Sequence, residues 1–140
     1  EISAFSASIV EIYNKYETPL SRFQLLNLWL FLNSSISWLI REIMGRKNLG
    51  GGMLKAEAID LKTIPLYYNF CESDSTQIEC IFNQLKNRQA LRALEEVEMP
   101  EHRAIDEIVF DHLEIPQVER ELIINFLKDI IATRENKSAR

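Results

Sequence analysis

Glycine is almost absent from this 140-residue chain, and the four that occur all fall between Gly45 and Gly52. Outside that window the backbone has no residue that takes positive φ without cost, so sharp reversals must be built from other residues. Cysteine is nearly as scarce. Cys71 and Cys80 stand nine apart without a CxxC spacing or a histidine cluster beside them, which gives neither a disulfide framework nor a zinc site and fits reduced thiols in a cytoplasmic protein. A membrane-spanning run is also missing, because the apolar stretch from Phe23 to Ile40 is interrupted by Gln24, Asn27, Asn33, Ser34, Ser35 and Ser37, short of the roughly 20 apolar residues a span requires. There is no Pro-Pro pair and no internal repeat, and the opening residues are not expected to act as a signal-like leader. The chain opens on Glu1, from which we expect it to be a piece of a longer polypeptide.

What is present suits one compact domain. Apolar residues make up 46% of the chain, enough at this length to bury a core without metals or disulfides. The net charge of −5 hides a split. Residues 1–70 carry seven basic against six acidic side chains and residues 71–140 carry nine against fifteen, so the acid lies in the second half. Between Arg41 and Lys62 the balance is basic, which permits a local positive patch.

Periodicity divides the chain in the same way. Residues 5–15 alternate small or polar with β-favouring residues (Ile9, Val10, Ile12, Tyr13) and predict a strand. Thr18 and Pro19 offer a helix start before the apolar run. Asn33-Ser34-Ser35 marks a joint, after which Ile36, Leu39, Ile40 and Ile43 predict a second helix from about Ser35 to Met44 that buries this face and is stopped by Gly45. Residues 53–57 read as a short strand, and residues 64–67 as another extended piece that Pro65 confines to an edge. The remainder reads as helical. Asp74-Ser75-Thr76-Gln77 resembles a capping box ahead of Ile78, Ile81, Phe82 and Leu85. Pro100 and Pro116 each suit a first helical position. Ile105, Ile108, Val109 and Leu113 define one helix, and Val118, Leu122, Ile123, Phe126, Leu127, Ile130 and Ile131 a longer one, followed by a polar tail from Thr133 expected to fray. The expected class is therefore α+β, mainly helical with a small β-sheet and a C-terminal helical bundle. Residues 1–70 form the α/β segment and residues 71–140 the helical one, packed together.

The glycine window reads Gly45-Arg46-Lys47-Asn48-Leu49-Gly50-Gly51-Gly52 and leads into Met53-Leu54-Lys55-Ala56-Glu57 and Asp60-Leu61-Lys62-Thr63-Ile64-Pro65. It describes a bent, basic, polar loop on a stiff scaffold. Together with Leu32-Asn33-Ser34-Ser35 before it, this order of residues resembles the C-terminal target-recognition region of adenine-specific DNA methyltransferases of restriction-modification systems. In that family a leucine-asparagine-serine helix is similarly followed by a glycine-arginine-x-asparagine-leucine-glycine turn, a leucine-lysine strand and an aspartate-leucine-x-x-hydrophobic-proline segment. Arg103-Ala104-Ile105-Asp106-Glu107-Ile108-Val109-Phe110 is similar to the helix that follows. The likeness covers roughly residues 30–66 and 100–135.

The resemblance implies a parent that transfers a methyl group from S-adenosylmethionine to an adenine flipped out of double-stranded DNA. It also implies that this piece binds and does not catalyse. The Asn/Asp-Pro-Pro-aromatic motif that holds the adenine is absent here. The glycines precede a strand instead of leading from a strand into a helix, so they do not form a cofactor loop. The fragment itself thus carries no cofactor; S-adenosylmethionine belongs to the parent. A recognition module reads base edges with Arg or Lys on guanine and Asn on adenine, chemistries that Arg46, Lys47 and Asn48 place on one loop, while Lys55 and Lys62 suit phosphate contacts. The expected partners are double-stranded DNA and the parent's catalytic domain, with no membrane. The alternative is a docking module whose loop and acidic helices pack on the catalytic domain or a partner subunit without touching DNA.

Other constellations are weaker. Glu57, Asp60 and Lys62 have the residue types of a metal-dependent nuclease, but the spacing is short and a solvated turn is the better reading. His102 and His112 have no assignable nucleophile and read as surface or helix-packing residues. Trp29 and Trp38 read as core anchors, Tyr67 and Tyr68 as candidates for exposure, and the acidic helices from Glu95 to Glu121 as a solvated face turned away from DNA.

Overall fold

A computed structural model describes residues 19–45, 64–67, 70 and 74–138. Six helices run in order through them: α1 (Arg22–Leu32), α2 (Ser35–Met44), α3 (Ser75–Leu85), α4 (Ala93–Val97), α5 (Pro100–His112) and α6 (Gln117–Ser138). About 75% of the described residues are helical, and among them there is no strand, which corrects the expected α+β class to a helical bundle. The predicted strands at residues 5–15 and 53–57 lie outside the described residues. Residues 64–67 form neither helix nor strand. Pro65 offers no N–H to a ladder, and the apolar side chains of Ile64 and Phe70 are buried without one. Phe70 is covered by helices.

The helix ends follow local chemistry. Helix α1 starts at Arg22, later than Thr18-Pro19 suggests, because Ser21 and Gln24 form a reciprocal capping box: Ser21 Oγ accepts from the Gln24 N–H at 3.2 Å and Gln24 Oε1 from the Ser21 N–H at 2.9 Å. The joint before α2 is where the sequence puts it, with Ser34 as the cap accepting from the Ser37 N–H. Gly45 ends α2 in an extended conformation (φ −69°, ψ 148°), so its left-handed freedom is unused there. Asp74 makes no side-chain cap to α3, contrary to the capping box expected there; its carboxylate is drawn to His112 Nε2 at 2.5 Å. Pro100 occupies the start of α5 as predicted. Pro116 sits just before α6, its carbonyl accepting from the Glu119 and Arg120 N–H groups. Between α5 and α6 the chain turns without glycine. Glu114 takes φ 54°, and the Ile115 and Glu114 N–H groups bond the Phe110 and Asp111 carbonyls at 2.9 and 3.1 Å, the paired bonds of a Schellman turn.

Helix α5 is the hub. Its Ile105, Ile108 and Val109 join Leu26, Leu30 and Phe31 of α1, Ile78 and Ile81 of α3, and Phe70 in one apolar cluster. Its Phe110 joins Val97 of α4 and Ile124, Leu127 and Ile131 of α6 in a second, against which Ile36, Trp38 and Leu39 of α2 pack. No single described helix is long and apolar enough to cross a membrane; α1 and α2 together reach that composition but are bent by 61° at their joint.

Two burial expectations are corrected. On α2 the side turned inward carries Ser35, Ser37 and Glu42, while Ile43 is exposed. On α6 only Ile124, Leu127 and Ile131 are buried, and Val118, Leu122 and Phe126 face outward. On α6 apolar residues occur on both sides, and the neighbours cover only the sector turned toward them. On α2 the covered sector is the polar one, where Ser35 is bonded to Asp106 of α5 and Glu42 to Arg134 of α6. The tail also departs from expectation, since α6 continues to Ser138 instead of fraying from Thr133, held by an ion pair described below.

Candidate functional site

The five residues expected to meet DNA, Arg46, Lys47, Asn48, Lys55 and Lys62, lie outside the described residues, as does the Glu57/Asp60 pair. What is described is the platform from which that segment departs at Gly45 and to which it returns at Ile64. Its organising element is the α1–α2 joint, the leucine-asparagine-serine stretch of the sequence.

Every side chain in that joint is used. Asn33 Nδ2 donates to the Trp29 carbonyl at 2.7 Å, and Ser34 Oγ donates to the Phe31 carbonyl at 2.7 Å. Both add a second bond to carbonyls at the end of α1 that also accept the Asn33 and Ser34 backbone N–H groups. Arg41, one turn from the end of α2, reaches back to the Leu32 carbonyl at 2.9 Å while its guanidinium lies 5.7 Å from the centre of the Trp38 ring. Burial pulls the Arg41 guanidinium below its ordinary value, opposed by the neighbouring Glu42.

Ser35 at the start of α2 is fully buried and bonded to α5. Its N–H donates to Asp106 Oδ1 at 2.6 Å and its hydroxyl to Asp106 Oδ2 at 2.6 Å. A hydroxyl has one proton to give, so the contact of 3.0 Å between Ser35 Oγ and His102 Nε2 is a bond donated by the imidazole. With Asp106 ionised, that places the proton of the neutral histidine on Nε2. Burial pushes Asp106 up from 3.8 to about 6, partly offset by the two bonds from Ser35, and pulls His102 down from 6.5 to about 4.

Ser35, His102 and Asp106 have the residue types of a nucleophile triad but not its geometry. In a triad the histidine stands between serine and carboxylate and takes the serine's proton. Here the serine stands in the middle, gives its proton to the carboxylate and has no exposure to a substrate. The arrangement is a carboxylate at a helix N-terminus, where free N–H groups and the helix dipole favour negative charge.

The other end of α2 is tied as firmly. Glu42, only 4% exposed, is gripped by Arg134 of α6, with Nε 3.0 and 3.1 Å from the two carboxylate oxygens and Nη2 2.9 Å from Oε1. Helix α2 therefore enters the segment after Gly45 with both ends fixed to different helices.

Beside the joint lies a cavity of about 250 Å³ with Trp29, Trp38, His102, Ile105, Arg88 and Glu96 in its wall. Trp38 stacks edge-on against His102 with ring centres 4.8 Å apart, and Trp29 against Phe82 at 5.2 Å, so both tryptophans anchor helices as expected while each also faces this hollow. Arg88 and Glu96 form an ion pair across it. Tyr67, a candidate for exposure, is half-buried edge-on against Phe70 at 5.1 Å, and Tyr68 lies outside the described residues. No group of three or more His, Cys, Asp or Glu side chains among the described residues is placed to hold a metal ion.

The sequence reading missed Ser35, His102, Asp106, Glu42 and Arg134 as a connected set. One signal was available: His102 and Asp106 fall three residues before Ile105 and Val109, on the stripe that α5 buries, so a buried histidine and acid were implied. Which residues they meet was not.

No protein family, no curated protein and no solved structure matches this chain.

Proposed function

We propose that this chain is the target-recognition region of a cytoplasmic adenine-specific DNA methyltransferase, contributing DNA binding while the parent's catalytic domain holds S-adenosylmethionine and the flipped adenine. The observation that carries the reading is the run from Leu32 through Gly45-Arg46-Lys47-Asn48 to Pro65. Support comes from the way its described parts are used. The asparagine and serines are spent on locking the α1–α2 joint, and the Glu42–Arg134 pair fixes the point of departure. A loop that reads bases needs such a base, since small errors in position forfeit bidentate contacts.

Charge placement fits the same reading. Arg103, Arg120 and Lys128 are engaged by Glu98, Glu107, Asp111 and Glu121. These three cations of α5 and α6 are thus neutralised in place. The docking alternative draws on Ile43 and Met44, which are exposed at the end of α2 beside that segment.

Titration of the chain against a labelled mixed-sequence DNA duplex at increasing salt separates the two. Binding whose logarithm falls linearly with log salt, with the slope reduced by about one in Lys47→Ala or Lys55→Ala, supports recognition. No binding at low salt supports docking.

A further inference from the structure

Helix α6 has a second apolar face that is exposed among the described residues. Val118, Leu122 and Phe126 recur every fourth residue and are 77%, 66% and 53% exposed. At 100° per residue they lie on the side of the helix opposite the buried Ile124, Leu127 and Ile131. The stripe is held in place by the burial of that opposite side and by ion pairs from Arg120 and Lys128. It is larger and more continuous than scattered surface hydrophobics, and a helix apolar on both sides is one that expects cover on both.

The charges around it say what kind of cover. Glu119 precedes Leu122 by three residues and Asp129 follows Phe126 by three, which puts both carboxylates on the margin of the stripe. Among the described residues no cation pairs with either. Glu121, three after Val118, is engaged only from the core side by Arg103 at 3.2 Å. Three basic residues of α6 are turned the other way: Arg120 to Glu107 and Asp111, Lys128 to Glu98, Arg134 to Glu42. An apolar stripe bordered by carboxylates that no described cation pairs with repels nucleic acid and an anionic membrane surface, and complements an apolar stripe bordered by lysine or arginine.

We propose that the outer face of α6 docks an amphipathic helix with basic flanks, contributed by a protein partner. Apolar side chains at i, i+4 and i+8 of the partner would lie along Val118, Leu122 and Phe126, with its cations over Glu119 and Asp129. The proposal stands independently of DNA binding by the segment after Gly45.

The test uses the whole chain and two labelled synthetic helical peptides that share one leucine stripe and differ only in flanking lysine or glutamate, read by fluorescence anisotropy. The lysine peptide is expected to bind, to lose affinity as salt rises, and to weaken at least tenfold against Leu122→Asp. It should weaken severalfold against the Glu119→Gln/Asp129→Asn double variant, whose apolar stripe is intact. All three positions are exposed, so unchanged thermal melting is expected of both variants. Equal binding of the two peptides, or no binding of the lysine peptide, overturns the proposal. So does a dimer in sedimentation that Leu122→Asp dissolves, since the cover would then be a second copy.

Discussion

Asp106 and Ser35, 71 residues apart in sequence, meet through two hydrogen bonds of 2.6 Å that make one carboxylate the cap of another helix. The pair joins α5 to the first turn of α2, and His102 closes the group by donating to the same serine oxygen at 3.0 Å. Removing the hydroxyl therefore leaves two buried partners unmatched. Ser35→Ala should destabilise the fold by roughly 1–3 kcal/mol, with Ser35→Thr much less damaging, measured by the shift in denaturant midpoint at constant slope.

The titrations of this group oppose each other. Between about pH 4 and pH 6 the folded protein holds Asp106 protonated and His102 neutral, whereas the unfolded chain holds an ionised aspartate and a charged histidine. Each state binds one proton, so the pair adds almost no pH dependence in that window. Single substitutions expose the two halves. In His102→Gln the remaining raised Asp106 favours the folded state at low pH, and stability falls as pH rises through about 6. In Asp106→Asn the remaining depressed His102 acts the other way, and stability falls as pH drops from 6.5 toward 4. Changes of roughly 2–3 kcal/mol across the window are expected. Urea midpoints at pH 4.5 and 6.5 that shift in the same direction for both variants would contradict the assignment.

Protonation of Asp106 also reverses the direction of donation. With a proton on the carboxyl, Asp106 donates to Ser35 Oγ and the serine donates to His102, which must then carry its own proton on Nδ1. Nitrogen-15 spectra of the His102 ring should show the tautomer changing over near pH 6 without the ring becoming charged. A spectrum constant from pH 5 to 7.5 would count against it.

Glu42 and Arg134 form the other tie on α2, and Glu42 is buried. Arg134→Met leaves that carboxylate without its partner and should cost about 3 kcal/mol or more, whereas the double variant Glu42→Leu/Arg134→Met should recover most of the loss. Thermal melts of the single and double variants decide this. Similar losses in both would mean that the pair itself, not the stranded charge, carries the stability.

Glu114 is placed where glycine is the usual residue, at φ 54° in the turn between α5 and α6. Its conformation carries a cost that a residue without Cβ avoids. Glu114→Gly is expected to raise stability by about 0.5–1 kcal/mol, seen as an upward shift in melting temperature, while Glu114→Val lowers it.

The helices were legible where a boundary is set by a few neighbouring residues. The joint at Asn33-Ser34 and the start of α5 at Pro100 each follow from one capping or ring constraint acting within a turn. The sheet was not, because short apolar alternations such as Ile64 to Tyr67 are satisfied equally by a strand partner or by burial against helices. Sequence also identified Ile105, Ile108 and Val109 as core, since the stripe is continuous. It misjudged α6, where apolar residues on two sides leave the pattern without a preferred face.

Local chemistry along the chain therefore settled the helical content of the second half, the breaks between helices and the clustering of every glycine and several cations in one stretch. Only packing decided which sector of α2 and α6 turned inward, that a serine, a histidine and an aspartate from two helices would share one buried set of bonds, and that Glu42 would find Arg134. These are pairings between distant positions, and the energy that selects them, desolvation of a charge against the bond that compensates it, exists only once the surrounding helices have excluded water.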